Sequence, residues 1–209
     1  MRKRRFVEEA SREEYLHKAV WRVVERQLDH AMAHPRGAQL DHLVALVFAS
    51  HALEGYANFL GQKIAPDQWQ DERKQFAETG LEGKLITLHE KCGLPLPKRG
   101  CRPWSIINEL KYLRDRIAHP RTILTNSTTQ YVDGKEPPLF AKSWMDRVVS
   151  RRKAVRAMED VKAIVDRLHQ AAMARFPSGG LPPEGLEGIL SMRTTSTRLK
   201  EEDSRKGVA

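Results

Sequence analysis

Residues 39–63 read QLDHLVALVFASHALEGYANFLGQK, and the angular distribution of their apolar side chains decides the fold. At about 100° per residue, Leu43, Leu46, Val47, Leu53, Ala57 and Leu60 form one stripe, and Ala45, Phe48, Ala49, Ala52, Tyr56 and Phe59 form another. Between them they cover nearly the whole circumference, which is the pattern of a helix buried at the centre of a bundle rather than one floating on its surface. A single narrow polar stripe, His51, Glu54, Asn58 and Gln62, interrupts it. That stripe is either a thin solvent-facing seam or the lining of a pocket or subunit interface.

The flanking sequence supplies the helices that bury this centre. Residues 12–33 carry Tyr15, Ala19, Val23 and Leu28 near helical spacing, and PDQWQDERKQFAE starts a third helix behind Pro66. LEGKLITLHEKC reads as a shorter fourth, and 103–119 as a fifth opened by Pro103. Residues 143–175 form the last and longest, capped by Ser143 and Asp146, with Val148, Val155, Met158, Val165 and Leu168 on the inner side. The fold expected is all-α, an up-and-down bundle of about five to six helices over residues 1–175. Strand signals are confined to 122–138, a long loop insertion whose β-branched residues and DG turn suit a small hairpin beside a site. Residues 176–209 lack sustained periodicity and read as a flexible or docked C-terminal tail.

Thirty-six Lys and Arg against 27 Asp and Glu leave a net charge of +9, so a polyanion is a favoured partner. No apolar stretch is expected to reach the about eighteen residues of a membrane span, and MRKRR is followed by FVEEASREEY rather than a signal core. A cytoplasmic protein without membrane attachment is expected. Cys92 and Cys101 flank GLPLPKRG and, with His89, would make only an incomplete metal site, so reduced thiols and no metal or cofactor are expected.

The stretch LRDRIAHP, 113–120, carries the chemistry. In the helix before it, Ile106, Leu110, Leu113 and Ile117 define the buried face, and Ile107 and Ala118 widen it. Arg114 falls inside that widened arc, where a cation requires a carboxylate, an anionic ligand or a stem that snorkels to water. Glu54 is the natural structural partner. Pro120 pushes His119 out of the α region and ends the helix, freeing the imidazole to turn back. Asp115, four residues earlier, is placed to accept its other proton and fix its tautomer.

Taken together, these residues resemble the signature of HEPN domains: an Arg, a polar residue, a few free positions, then His. Arg114, Asp115 and His119 fit it with four residues between Arg and His. HALEGYANFLGQ looks like the small-apolar helix bearing Glu and then Asn, here Glu54 and Asn58, that precedes the signature in many HEPN proteins. The resemblance spans roughly 12–175 by architecture and about twenty residues by motif. It implies a homodimer whose signatures face one another, and often a metal-independent endoribonuclease, in the setting of a toxin with a neutralising antitoxin protein or a defence effector.

The residue chemistry suits RNA cleavage. A base must take the 2′-OH proton, a cation must stabilise the phosphorane, and an acid must protonate the leaving oxygen. An imidazole can move protons near neutral pH, which suits His119 to both transfers, and an arginine such as Arg114 can grip phosphate bidentately. Lys98, Arg99, Arg102, Lys111, Arg116 and Arg121 add charge around the motif against Glu109 and Asp115, with Lys111, Arg116 and Arg121 the candidates for substrate contact alongside Glu54 and Asn58. Two other readings stand beside this one: a non-catalytic HEPN-like module for dimerisation or for nucleotide or RNA binding, and a DNA-binding helical protein using basic residues such as Arg147, Arg151, Arg152, Lys153 and Arg156.

Overall fold

The central helix forms as the apolar pattern requires. In the computed structural model, which describes residues 6–123 and 142–199, α2 (Ala38–Ile64) buries Ala45, Leu46, Ala49, Leu53, Tyr56, Ala57 and Leu60. Ahead of it, α1 (Leu16–Ala33) folds back onto α2 over Gly37, whose φ of +81° lies in the left-handed region that glycine adopts without a Cβ penalty. Trp21, Val24, Leu28 and Ala31 face α2 at spacings of three, four and three.

Two single-turn helices, α3 (Pro66–Trp69) and α4 (Glu72–Gln75), replace the one expected after Pro66. Trp69 lies flat on Gly61 of α2, so close that a Cβ there would overlap the indole. The chain continues through α5 (Gly80–Lys91), α6 (Ser105–Ala118), α7 (Trp144–Val148) and α8 (Arg151–Arg175), and α5, α6 and α8 all pack on α2. The core-facing side of α6 is Ile106, Ile107, Leu110 and Leu113. Burying those four is worth on the order of 8 kcal/mol gross, before the entropy of ordering the helix. Ile117 and Ala118, expected on that face, are instead exposed, because the last turn of α6 runs past the edge of the core.

The helix expected over 143–175 is broken. Val149 and Ser150 are extended, with ψ of 119° and 158°, and the Ser150 hydroxyl accepts the Lys153 N–H to start α8 afresh. The Ser143/Asp146 pair does form the expected capping box on α7. Hydrogen bonds from Ser143 hold the Asp146 carboxyl below the usual range.

The all-α bundle carries one feature absent from the helical expectation. β1 (Phe6–Glu14) pairs antiparallel with β2 (Ser191–Leu199) in a register running from Phe6 opposite Leu199 to Glu14 opposite Ser191. Residues 12–14, assigned above to the first helix, belong to this ladder. Leading into β2, residues 176–190 dock as a strap with Leu186 buried in the core. The His17 Nε2–H donates to the Gly185 carbonyl at 3.0 Å. His169 donates from Nε2 to Pro182 O at 2.8 Å and accepts at Nδ1 from the Tyr56 hydroxyl at 3.2 Å. Of the loop insertion expected over 122–138, all but residues 122 and 123 lies outside the described residues, as do residues 139–141 and those beyond 199.

Among the described residues, α2 is the one helix long and apolar enough for a membrane crossing by length and composition, with a hydropathy of 1.3 over an 18-residue window. Half of that window is buried against the protein's own helices.

Candidate functional site

α6 carries the candidate site residues Arg114, Asp115 and His119 toward its C-terminal end, where it leaves the core. His119 is the C-cap, with φ −122° and ψ 68°, and its backbone N–H donates to the Asp115 carbonyl at 3.1 Å before Pro120 ends the helix. The imidazole is exposed, and among the described residues no side chain hydrogen-bonds to it. The Asp115 carboxylate, placed in the sequence reading beside that ring, faces Arg114 instead.

Arg114 sits on the flank of α6 with 32% of its side chain exposed. Its Nη1 donates to Glu54 Oε2 of α2 at 2.9 Å, and Nε and Nη2 make longer contacts, 3.4 and 3.3 Å, to Asp115 Oδ1. Of the five N–H donors a guanidinium carries, two remain for a ligand. The carboxylates thus hold the cation in place without exhausting it.

Glu54 is itself held from the other side. Lys84 of α5, only 7% exposed, donates to Asn58 Oδ1 at 2.8 Å and Glu72 Oε2 at 3.1 Å, and its Nζ lies 3.7 Å from Glu54 Oε1. The middle of the polar stripe on α2 is therefore a bridge joining α4, α5, α2 and α6 through Glu72, Lys84, Glu54 and Arg114. His51 and Gln62, at its ends, are exposed. Lys84 and Glu72 were missed from sequence, although a lysine beside Leu85 and Leu88 on the apolar side of a short helix is the signal of a buried ammonium seeking carboxylates.

The surrounding basic residues divide into engaged and available. Arg99 pairs with Glu82 at 2.7 Å, and Arg102 with Asp160 and Glu159 at 2.8 and 3.0 Å. Arg156 pairs with Glu109 at 2.8 Å. Lys98, Lys111, Arg116, Arg121, Arg151 and Arg152 have no carboxylate within ion-pair distance among the described residues. Arg116 lies with its guanidinium carbon 5.8 Å from the centre of the Trp144 ring, and the Trp144 Nε1–H donates to the Tyr112 hydroxyl at 3.3 Å. Neither aromatic was singled out in the sequence, since an isolated Tyr and Trp 32 positions apart carry no pattern until α7 docks beside α6.

No known protein family, characterised protein or solved structure matches this chain. Among the described residues no group of three or more His, Cys, Asp or Glu is arranged to hold a metal ion. Cys92 is buried, its thiol pushed up to about 11 by desolvation, while Cys101 is exposed, and His89 bonds through Nδ1 to the Pro95 carbonyl.

Proposed function

We propose that this protein is a metal-independent endoribonuclease of HEPN type, acting as a homodimer whose two signature motifs compose one site. The observation that supports the reading is that Arg114, anchored by Glu54 with two of its N–H donors still open, and His119, the exposed C-cap, both lie in the C-terminal stretch of α6. One imidazole takes the proton of the 2′-OH as that oxygen bonds to phosphorus. The P–O5′ bond then breaks, and the leaving oxygen takes a proton from an imidazolium, supplied in the dimer by the second His119. Arg114 meets the charge that grows on the phosphorane oxygens. A 2′,3′-cyclic phosphate and a 5′-hydroxyl are the products. Such an activity fits a cytoplasmic toxin or defence effector restrained by a neutralising partner.

The non-catalytic module remains the second reading because three Arg114 nitrogens already face carboxylates, an arrangement that serves rigidity as well as catalysis. Cleavage of varied RNAs separates the two. Wild type should cut in EDTA and leave a cyclic phosphate, deoxyribose at the scissile position should block the reaction, and His119→Ala or Arg114→Ala should slow it at least a hundredfold, about 3 kcal/mol of transition-state stabilisation. RNA binding without any cleavage, or a monomer by light scattering at micromolar concentration, would sink the composite-site reading.

A further inference from the structure

We infer that Trp144, set between Tyr112 and Arg116, is a stacking platform for an unpaired base of a single-stranded RNA, a subsite separate from the Arg114–His119 centre. Trp21, Trp69 and Trp104 are buried in the core at 1%, 4% and 7% exposure. Trp144 alone among the four tryptophans is half-buried, on the short helix α7 whose capping box fixes its backbone. The hydrogen bond to the Tyr112 hydroxyl fixes the indole edge, and the two rings lie 6.5 Å apart at 55°. Tyr112 is 53% exposed. An exposed tyrosine next to a tryptophan packed partly against the core, with an arginine over the indole, is a combination on which nucleic-acid bases stack regardless of sequence.

The groove alongside has a volume of about 310 Å³ and is lined by Arg116, Arg121, Ile117, Ile123, Trp144 and Met145, with no carboxylate among the described residues that line it. That is the low end of small-ligand pockets, roughly 300–1,000 Å³, the size of one nucleotide unit rather than of a helix. Apolar walls with cationic lips match a base and its phosphate. A basic or neutral peptide would leave Arg116 and Arg121 without counter-charge.

Tyr112 and Arg116 are four residues apart and share one face of α6, whereas Arg114, two residues from each, points about 200° away toward Glu54. The stacked base therefore belongs to a nucleotide flanking the scissile bond, and the strand rounds the end of α6 past Arg121 and His119. The identity of that bond rests on the endoribonuclease reading; the stacking does not.

The test is titration of the full-length protein with a mixed-sequence single-stranded deoxyoligonucleotide, which cannot be cleaved by 2′-OH attack, and with the same RNA sequence on His119→Ala, following tryptophan emission. The buried tryptophans leave Trp144 as the responsive fluorophore, so quenching is expected with single strands and not with a duplex. Trp144→Leu should weaken binding about tenfold or more. Trp144→Phe keeps a ring, and should abolish the quenching while holding affinity within about threefold. Unchanged affinity in Trp144→Leu with its melting temperature intact, or cleavage and binding by wild type without any quenching, overturns the platform. So does failure of wild type to bind any strand, in which case the groove is left to a protein segment. Binding and quenching without cleavage upholds the platform and overturns the endoribonuclease reading.

Discussion

Replacing Lys84 with methionine removes an ammonium that three acceptors surround: Asn58 at 2.8 Å, Glu72 at 3.1 Å and Glu54 at 3.7 Å. Methionine keeps the stem and its packing beside Leu85, so the change isolates the charge. Truncating one partner of a fully buried pair costs about 3–5 kcal/mol. Here Glu72 and Glu54 are 28% and 32% exposed and can rehydrate, which returns part of that loss. A net cost of about 2 kcal/mol follows, equivalent to roughly 4–8 °C in Tm for a chain of this length. Thermal unfolding followed by far-UV circular dichroism measures it, with Glu72→Gln as a smaller companion change. Glu54, released on one side, also becomes free to move with Arg114, so on the proposed endoribonuclease reading RNA cleavage should fall further than the stability change explains below Tm. A Tm within 1 °C of wild type would refute the reasoning, since it would mean that water already satisfies Lys84 and that the bridge from α4 to α6 does not hold.

Acid should loosen the strap. Burial pushes the His17 imidazole down to about 4, so the unfolded chain, with an ordinary value near 6.5, binds the proton first. Stability is therefore full above about pH 6.5 and falls as pH drops toward 4, by about 3 kcal/mol from His17, with His169 shifted in the same direction by burial. Urea midpoints at pH 7.5 and 4.5 measure the slope; His17→Gln should flatten it, and an unaltered slope in that variant would exclude His17 as its source. Truncation should distinguish strap from strand. Ending the chain after Leu190 removes β2, and with it the ladder, together with the residues that follow, and should cost less than about 1 kcal/mol. Ending it after Arg175 also removes the buried Leu186 and the carbonyl partners of His17 and His169, and should cost more than about 5 kcal/mol. Equal losses in the two truncations would contradict the docking of the strap.

The helices were legible because burial imposes a period on the chain, and α2 was the clearest since nearly its whole circumference is apolar. The Glu54–Arg114 pair was legible for the same reason: a cation inside an apolar arc has few partners, and Glu54 lay on the one polar stripe of the central helix. The ladder between β1 and β2 was not, because exposed strands need no alternation and FVEEASREE is rich in good helix formers. Its one clue, the threonines of SMRTTSTRL, points to a strand without naming a partner at the other end of the described chain. The break at Val149 and Ser150 interrupts an otherwise helical pattern with two ordinary residues, and only the packing of α7 beside α6 reveals why the chain turns there. His119 was readable as a helix end from Pro120, but whether Asp115 would turn toward it or toward Arg114 depended on side-chain geometry that spacing alone leaves open.

The pairing of residue 6 with residue 199 makes the ladder the contact of greatest sequence separation in the described chain. Closing so large a loop costs entropy that nothing local repays until both ends are already anchored, the leading one by α1 and the trailing one by the strap. The order of assembly follows: helices and bundle first, strap next, ladder last. Unfolding fluctuations run through the same steps in reverse, so the amides of Phe6–Glu14 and Ser191–Leu199 should exchange with solvent hydrogen well before those of α2, and a protease should cut within both strands while the bundle is still closed.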